Sequence, residues 1–174
     1  MLNVAIIGKP NVGKSTLFNR LVGRSHSIVS PVEGVTRDRI YGTVNWLENK
    51  FNLIDTGGFL PDSVDTINNH VREQAKLALD ESDLILFVVD GREGPTSPDK
   101  YLANELIKCG KKYLFVINKV DDEVHDTATF EFYELGLNEH IVISAQNKRN
   151  IDILLDKIIT YIPSYNKEEK NDNS

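Results

Sequence analysis

Val4-Ala5-Ile6-Ile7-Gly8-Lys9-Pro10-Asn11-Val12-Gly13-Lys14-Ser15-Thr16 is the stretch from which the rest of the chain can be read. Four apolar residues of strand character run into a Gly-x-x-x-x-Gly-Lys-Ser loop. Residues 16–22 then place Leu17 and Leu21 one helical turn apart. A strand–loop–helix passage turns successive backbone N–H groups toward one small space, with the positive end of the helix dipole behind them. Gly8 and Gly13 permit a backbone conformation and a close approach that side chains would block. Lys14 is expected to reach the β- and γ-phosphates of a nucleotide, and the Ser15 hydroxyl to be a Mg²⁺ ligand. Lys9, Pro10, Asn11, Val12 and Thr16 complete the expected phosphate cradle.

Outward from this loop, strand-like and helix-like runs alternate, the pattern of an α/β fold with a parallel sheet covered on both faces. Apolar runs recur at residues 51–54, 84–89, 113–117 and 141–143. A further run at 40–47 is followed by Glu48-Asn49-Lys50, so a hairpin should join it to 51–54 and leave one antiparallel strand at the sheet edge. Helices are expected over 67–80, 99–109 and 123–135. The clearest is 151–162, where Ile151, Leu154, Leu155, Ile158, Ile159 and Ile162 form one stripe ended by Pro163. Residues 1–163 form the expected domain, and the polar residues 164–174 read as a flexible tail or truncated interdomain linker.

The 174 residues suit one domain, and a net charge of −6 gives no general attraction to nucleic acid. The longest apolar run, 84–89, is far below the roughly 20 residues needed to span a bilayer. Cys109 stands alone, so neither a disulfide framework nor a cysteine metal cluster is expected, and a reducing cytoplasm is the simplest location. His26, His70, His125 and His140 show no ligand spacing and read as surface or packing residues.

Polar residues collect where the apolar runs end: Gly8, Asp55, Asn118 and Ser144. In an open parallel sheet those ends share one edge, where ligands bind at the switch in strand order. Asp55 of Asp55-Thr56-Gly57-Gly58 is expected to hold Mg²⁺ through water, and the Gly58 N–H to contact a terminal phosphate. In Asn118-Lys119-Val120-Asp121 the Asp121 carboxylate can accept from both the ring N–H and the exocyclic amine of guanine, a donor pair that adenine lacks. Asn118 would brace neighbouring loops, and the Lys119 stem would lie across the base. Ser144-Ala145-Gln146 would offer the Ala145 N–H to the guanine oxygen. Residues 25–39 are long enough to fold over a phosphate, with Thr36 either a second Mg²⁺ ligand or a turn cap. Arg37 and Arg39 read as solvated or salt-bridged.

These motifs resemble the Ras-like P-loop GTPases, in particular the Era/TrmE-like subgroup. More narrowly, residues 2 to about 163 are similar to the first domain of bacterial GTPases with two such domains in tandem. The resemblance rests on VAIIGKPNVGKSTLFNRLVG, GVTRDRIYG, LIDTGGF, VREQAKLAL…DLILFVVDGREG, INKVD and ISAQ. The stretch 71–94 has no general role in GTP chemistry and therefore marks the narrower group. The resemblance implies a three-layer sandwich around a six-stranded, mostly parallel sheet with one antiparallel strand. It also implies Mg²⁺-dependent GTP hydrolysis and a part in assembly of the large ribosomal subunit, with ribosome contact carried by domains absent from this chain. Phe59 stands where many Ras-like enzymes place a water-orienting glutamine, so intrinsic hydrolysis should be slow. Similar GTPases use the residue at Asn11 to help hold K⁺ near the phosphates. A GTP-sensing module with negligible hydrolysis is the alternative to an enzyme.

Overall fold

β1 (Leu2–Ile7) lies inside the sheet, and the structure, a computed structural model, describes residues 1–23, 30–31, 40–57, 64–163 and 165. The other strands are β2 (Ser30–Pro31), β3 (Ile40–Trp46), β4 (Asn49–Asp55), β5 (Leu84–Asp90), β6 (Lys112–Asn118) and β7 (His140–Val142). They lie in the order β2-β3-β4-β1-β5-β6-β7. The six anticipated strands are present, and the mostly parallel α/β fold is as expected. The two-residue β2 adds a seventh, pairing antiparallel outside β3.

β1 pairs in parallel with β4 and β5, β5 with β6, and β6 with β7. Their carboxyl ends therefore share one edge. After β1 the chain takes up the β2 edge and returns inward through β3 to β4, which lies beside β1, and later builds outward through β5 to β7 on the other side. The loop after β1 thus sits at the switch point.

Side-chain alternation explains why both faces are covered. Val4, Ile6, Leu86, Val88, Leu114 and Val116 join one core cluster with α1 (Lys14–Gly23) and α4 (Ile151–Ile159). Their neighbours Ala5, Ile7, Phe87, Val89, Phe115 and Ile117 join the other with α2 (Val64–Glu81) and α3 (Ser97–Cys109). A period of two sends successive side chains to opposite layers. Burying each large aliphatic or aromatic side chain contributes about 1.5–3 kcal/mol.

Three local differences from the sequence reading have physical causes. The stripe ending at Ile162 leaves α-helical geometry after Ile159. Tyr161 N–H donates to Ile158 O and Ile162 N–H to Ile159 O, bonds that tighten the last turn. Glu123–Leu135 is a 3₁₀ rather than an α-helical segment. The hairpin turn falls at Leu47-Glu48, with Asn49 and Lys50 already in β4.

Both turn residues are left-handed, with φ of 47° and 65°. A two-residue turn of this hand suits Asn-Gly, and non-glycine residues are strained there. Leu47 is exposed and contributes little packing. The L47N/E48G pair is therefore expected to raise stability by about 1 kcal/mol. The midpoint of urea unfolding is the measurement, and an unchanged midpoint would show that the turn carries no such strain.

Candidate functional site

Gly8 follows β1 directly under β5. A Cβ there would stand 2.6 Å from Val88 O and 2.9 Å from Val12 Cγ2, so only glycine fits. Gly13 has φ of 97°, and a Cβ on it would overlap Asn118 Nδ2. Lys14 opens α1, and its buried Nζ donates to Gly8 O at 2.7 Å and Lys9 O at 2.8 Å. Burial lowers its pKa to about 8, against the pull of the Asp55 carboxylate. An anion brought to this ammonium would favour its charged form. The loop bounds a cavity of about 420 Å³ lined by Pro10, Asn11, Gly13, Lys14, Ser15, Thr16, Gly57, His70, Lys119 and Gln146.

Ser15 and Asp55 meet at one side of this cavity, with Ser15 Oγ 3.4 Å from Asp55 Oδ2. Asp55 ends β4 and is buried. Burial raises its pKa, although the Gly57 N–H, which donates to Oδ1 at 3.0 Å, and Lys14 both oppose this. A hydroxyl and a carboxylate oxygen this close form a hard-donor pair that fits Mg²⁺. Thr56 Oγ1 donates to Ile6 O at 2.6 Å, fastening the start of the next loop to β1. Gly57 needs its bare Cα because a Cβ would overlap Lys14 Cε. Thr36, Gly58 and Phe59 lie outside the described residues.

At the other side, the buried Asn118 amide joins three segments. Its Nδ2 donates to Val12 O at 2.9 Å, its Oδ1 accepts from Ala145 N–H at 3.0 Å, and its own carbonyl accepts from Gly91 N–H at 2.7 Å. The bracing expected of Asn118 is visible here. Ala145 N–H is engaged by that amide, so contact with a base oxygen would be shared with it. Lys119 has φ of 67°; its Nζ donates to Asn11 O and stands 3.2 Å from Asp90 Oδ2. Burial resists the charge on Asp90, but Arg92 and Lys119 prevail and hold its pKa below the usual carboxylate value. Val120 is buried and donates its N–H to Ile143 O at 3.1 Å. Asp121 accepts from Ser144 Oγ at 2.9 Å, which turns its carboxylate toward the Ser144-Ala145-Gln146 loop.

Several contributors were not evident from sequence. Arg20, on α1, donates to Ala145 O at 2.8 Å and Gln146 O at 3.0 Å, clamping the far loop to the helix that begins at Lys14. Arg149 Nη1 donates to Val120 O at 2.9 Å. Lys9 points away from the cavity, to Glu93 at 2.9 Å, Thr96 Oγ1 at 3.0 Å and Asp99 at 3.2 Å. His70 is buried and lines the cavity, although its sequence context gave only a packing or surface role. Gln74 touches Gly8 and Thr56. A glutamine set within the apolar stripe Val71, Ala75 and Ala78 was the available signal for it.

A larger hollow of about 930 Å³ lies at the opposite edge, against Lys50, Ser82, Gly110, Lys112 and Ile162. Helices α2 and α3 end there, so their dipoles present negative ends and disfavour anions. No helix among the described residues is long and apolar enough to cross a membrane. Among those residues, no group of three or more His, Cys, Asp or Glu could hold a metal ion.

A phosphate loop at the switch point, a strand-end Asp-Thr-Gly beside its lysine and an Asn-Lys-x-Asp loop tied back onto it define a P-loop domain of the GTPase class. The family described as 50S ribosome-binding GTPase matches residues 3–119, and the chain belongs to that family. The chain is 50% identical over 172 residues to GTPase Der of Halothermothrix orenii, covering 98% of this chain and 39% of that protein. It is 51% identical over 166 residues to GTPase Der of Caldanaerobacter subterraneus subsp. tengcongensis, covering 95% of this chain and 38% of that protein. The chain thus spans about two-fifths of the length of these relatives. Among solved structures, Aquifex aeolicus Era bound to GDP and AlF4⁻ matches with a TM-score of 0.71 and 34% identity, over 94% of this chain and 57% of that one. Era with MgGDPNP and a 16S ribosomal RNA segment matches with a TM-score of 0.71 and 36% identity, again over 94% of this chain and 57% of that one.

Proposed function

We propose that this chain binds guanine nucleotides with Mg²⁺ and hydrolyses GTP to GDP and phosphate, with hydrolysis accelerated by K⁺. The observation that supports it best is the Asn118 amide, which ties the Asn-Lys-x-Asp loop to Val12 of the phosphate loop at 2.9 Å. A base held by Asp121 and phosphates held at Lys14 then belong to one ligand. Hydrolysis places water on the γ-phosphorus and breaks its bond to the β–γ bridging oxygen, so negative charge moves toward the β-phosphate. Lys14 and the amides of the loop stabilise that charge from fixed positions. Ser15 and Asp55 would hold Mg²⁺, with Thr36 as the further protein ligand. A Mg²⁺ held there would supply charge neutralisation to the phosphates.

Asp121 should give guanine specificity. Adenine would leave the Asp121 carboxylate without its donor pair, a larger loss than a missing apolar contact. GDP is expected to displace bound fluorescent GDP at concentrations about 100-fold or more below those of ADP. Asp121→Asn should shift preference toward xanthine nucleotides. Equal competition by ADP would refute the base assignment.

Asn11 is the proposed K⁺ contact, the cation taking the place of an arginine finger beside the phosphates in a site where Phe59 cannot orient water. The left-handed backbone of Asn11, with φ of 69°, holds it at the cavity wall. Single-turnover hydrolysis should be faster in K⁺ than in Na⁺ at equal ionic strength, with the difference reduced in Asn11→Ala. Equal rates in the two salts would dismiss this role. Absence of turnover in K⁺ and Mg²⁺, with tight GTP binding retained, would instead favour a binding module. Large-subunit assembly is proposed only by likeness to the Der relatives, of whose length this chain covers about two-fifths. The net charge of −6 gives this chain no general attraction to RNA.

A further inference from the structure

We propose that Gln74 is a positioning residue for GTP hydrolysis, its buried amide oxygen holding α2 in register with the phosphate loop. This rests on the hydrolytic reading above. Gln74 is 2% exposed and lies on the helix that follows the Asp55-Thr56-Gly57 segment. Its Oε1 accepts from Gly8 N–H at 3.1 Å and stands 3.0 Å from Thr56 Oγ1. The orientation of the amide is dictated by Gly8, whose backbone N–H can only donate and therefore requires the oxygen. Gly8 lies close under Val88 O and Val12, where a Cβ would not fit.

The other half of the amide has a different status. Nε2 is buried and, among the described residues, has no hydrogen-bond partner. Packing alone would be served better by an apolar side chain, which has no donor to strand. The position uses the acceptor. That oxygen holds the first amide of the phosphate loop and lies against the hydroxyl next to Asp55, whose one proton goes chiefly to the nearer Ile6 O. Any shift of α2 along its axis separates that oxygen from Gly8, so α2, Thr56 and the phosphate loop keep a common register. This gives the Val-Arg-Glu-Gln stretch, residues 71–74, a part in the chemistry although it touches no nucleotide. Positioning of this kind acts on the reacting geometry more than on ground-state binding.

The test uses the whole 174-residue chain. Single-turnover GTP hydrolysis in K⁺ and Mg²⁺, binding of fluorescent GDP and thermal unfolding are measured for wild type, Gln74→Met, Gln74→Glu and Gln74→Leu. Gln74→Met keeps the length but removes the acceptor; it should slow hydrolysis by about tenfold or more while weakening GDP by less than about threefold. Gln74→Glu keeps the oxygen and should recover to within about threefold of wild type. A folded Gln74→Met protein with a wild-type rate would overturn the role. So would equal losses of rate and GDP affinity, or a Gln74→Glu protein as slow as Gln74→Met. If Gln74→Met does not fold, Gln74→Leu decides, since it also fills the space without an acceptor: a slowed rate with GDP binding kept supports the proposal, and an unchanged rate overturns it. A wild type that binds GTP without turnover would remove the hydrolytic reading and this role together, an outcome distinct from failure of the Gln74 variants alone.

Discussion

Gly13→Ala is expected to abolish useful nucleotide binding while leaving most of the fold intact. At φ of 97° an alanine bears left-handed strain of about 1–2 kcal/mol. Its Cβ would also overlap Asn118 Nδ2, which cannot withdraw without giving up Val12 O, while its Oδ1 holds Ala145 N–H. Each buried group left unpaired costs a further ~1–3 kcal/mol. Displacing the amide therefore disturbs the phosphate loop and both base loops at once. Taken at about 3 kcal/mol or more, the loss corresponds to at least ~100-fold in GDP affinity. Equilibrium binding of fluorescent GDP measures it, with circular dichroism reporting the fold. Wild-type affinity would mean that the Asn118 tie has slack that the geometry denies.

The second large effect concerns Lys9. Its ammonium is held by Glu93, Thr96 and Asp99, while Asp99 Oδ2 also accepts from Thr96 N–H and Oγ1, both at 3.0 Å. Asp99 is fully buried, and its other oxygen is unpartnered. Burial works against the Lys9 charge, but the hydrogen bond to Glu93 and the Asp99 carboxylate outweigh it and raise its pKa. The stability this contributes is complete below the unfolded lysine value of about 10.5 and is lost as pH rises through the higher folded value. Asp99→Ala removes the buried partner and leaves Lys9 facing Glu93, whose side chain is 58% exposed. The expected cost is about 3–5 kcal/mol. Lys9→Met combined with Asp99→Leu should recover most of it, since a buried ion pair replaced by apolar groups is often neutral. Urea unfolding of the two proteins makes the comparison. A small loss in Asp99→Ala would show that solvent screens the pair despite its burial.

What sequence could reveal followed from how each residue acts. Strands buried on both faces write themselves as continuous apolar runs, and Gly8, Asp55 and Asn118 stand out because each interrupts such a run at its end. Asn150 takes a left-handed turn at φ of 60°, a conformation asparagine tolerates, with its amide donating to Val142 O. Leu47 and Glu48 gave no such warning, because neither prefers positive φ; the pairing of β3 with β4 imposes it. Lys9 belongs to the phosphate loop by position, and its side chain turns to Glu93 and to Thr96 and Asp99 at the start of α3, partners that the loop motif does not announce. Arg20, His70 and Gln74 sit on helices, where a polar residue ordinarily faces water. Only the direction of the helix face against the loops shows otherwise, and that is a property of packing rather than of local pattern.

Helix α1 carries Lys14 at its first residue and Arg20 six positions later, each gripping a different side of the cavity. Six helical steps amount to about 9 Å of rigid rise. One hydrogen-bonded rod thus fastens the phosphate loop at its start and the Ser144-Ala145-Gln146 loop near its end. Two loops about 130 residues apart in the chain are thereby coupled through a single stiff element, and a shift of either is carried to the other.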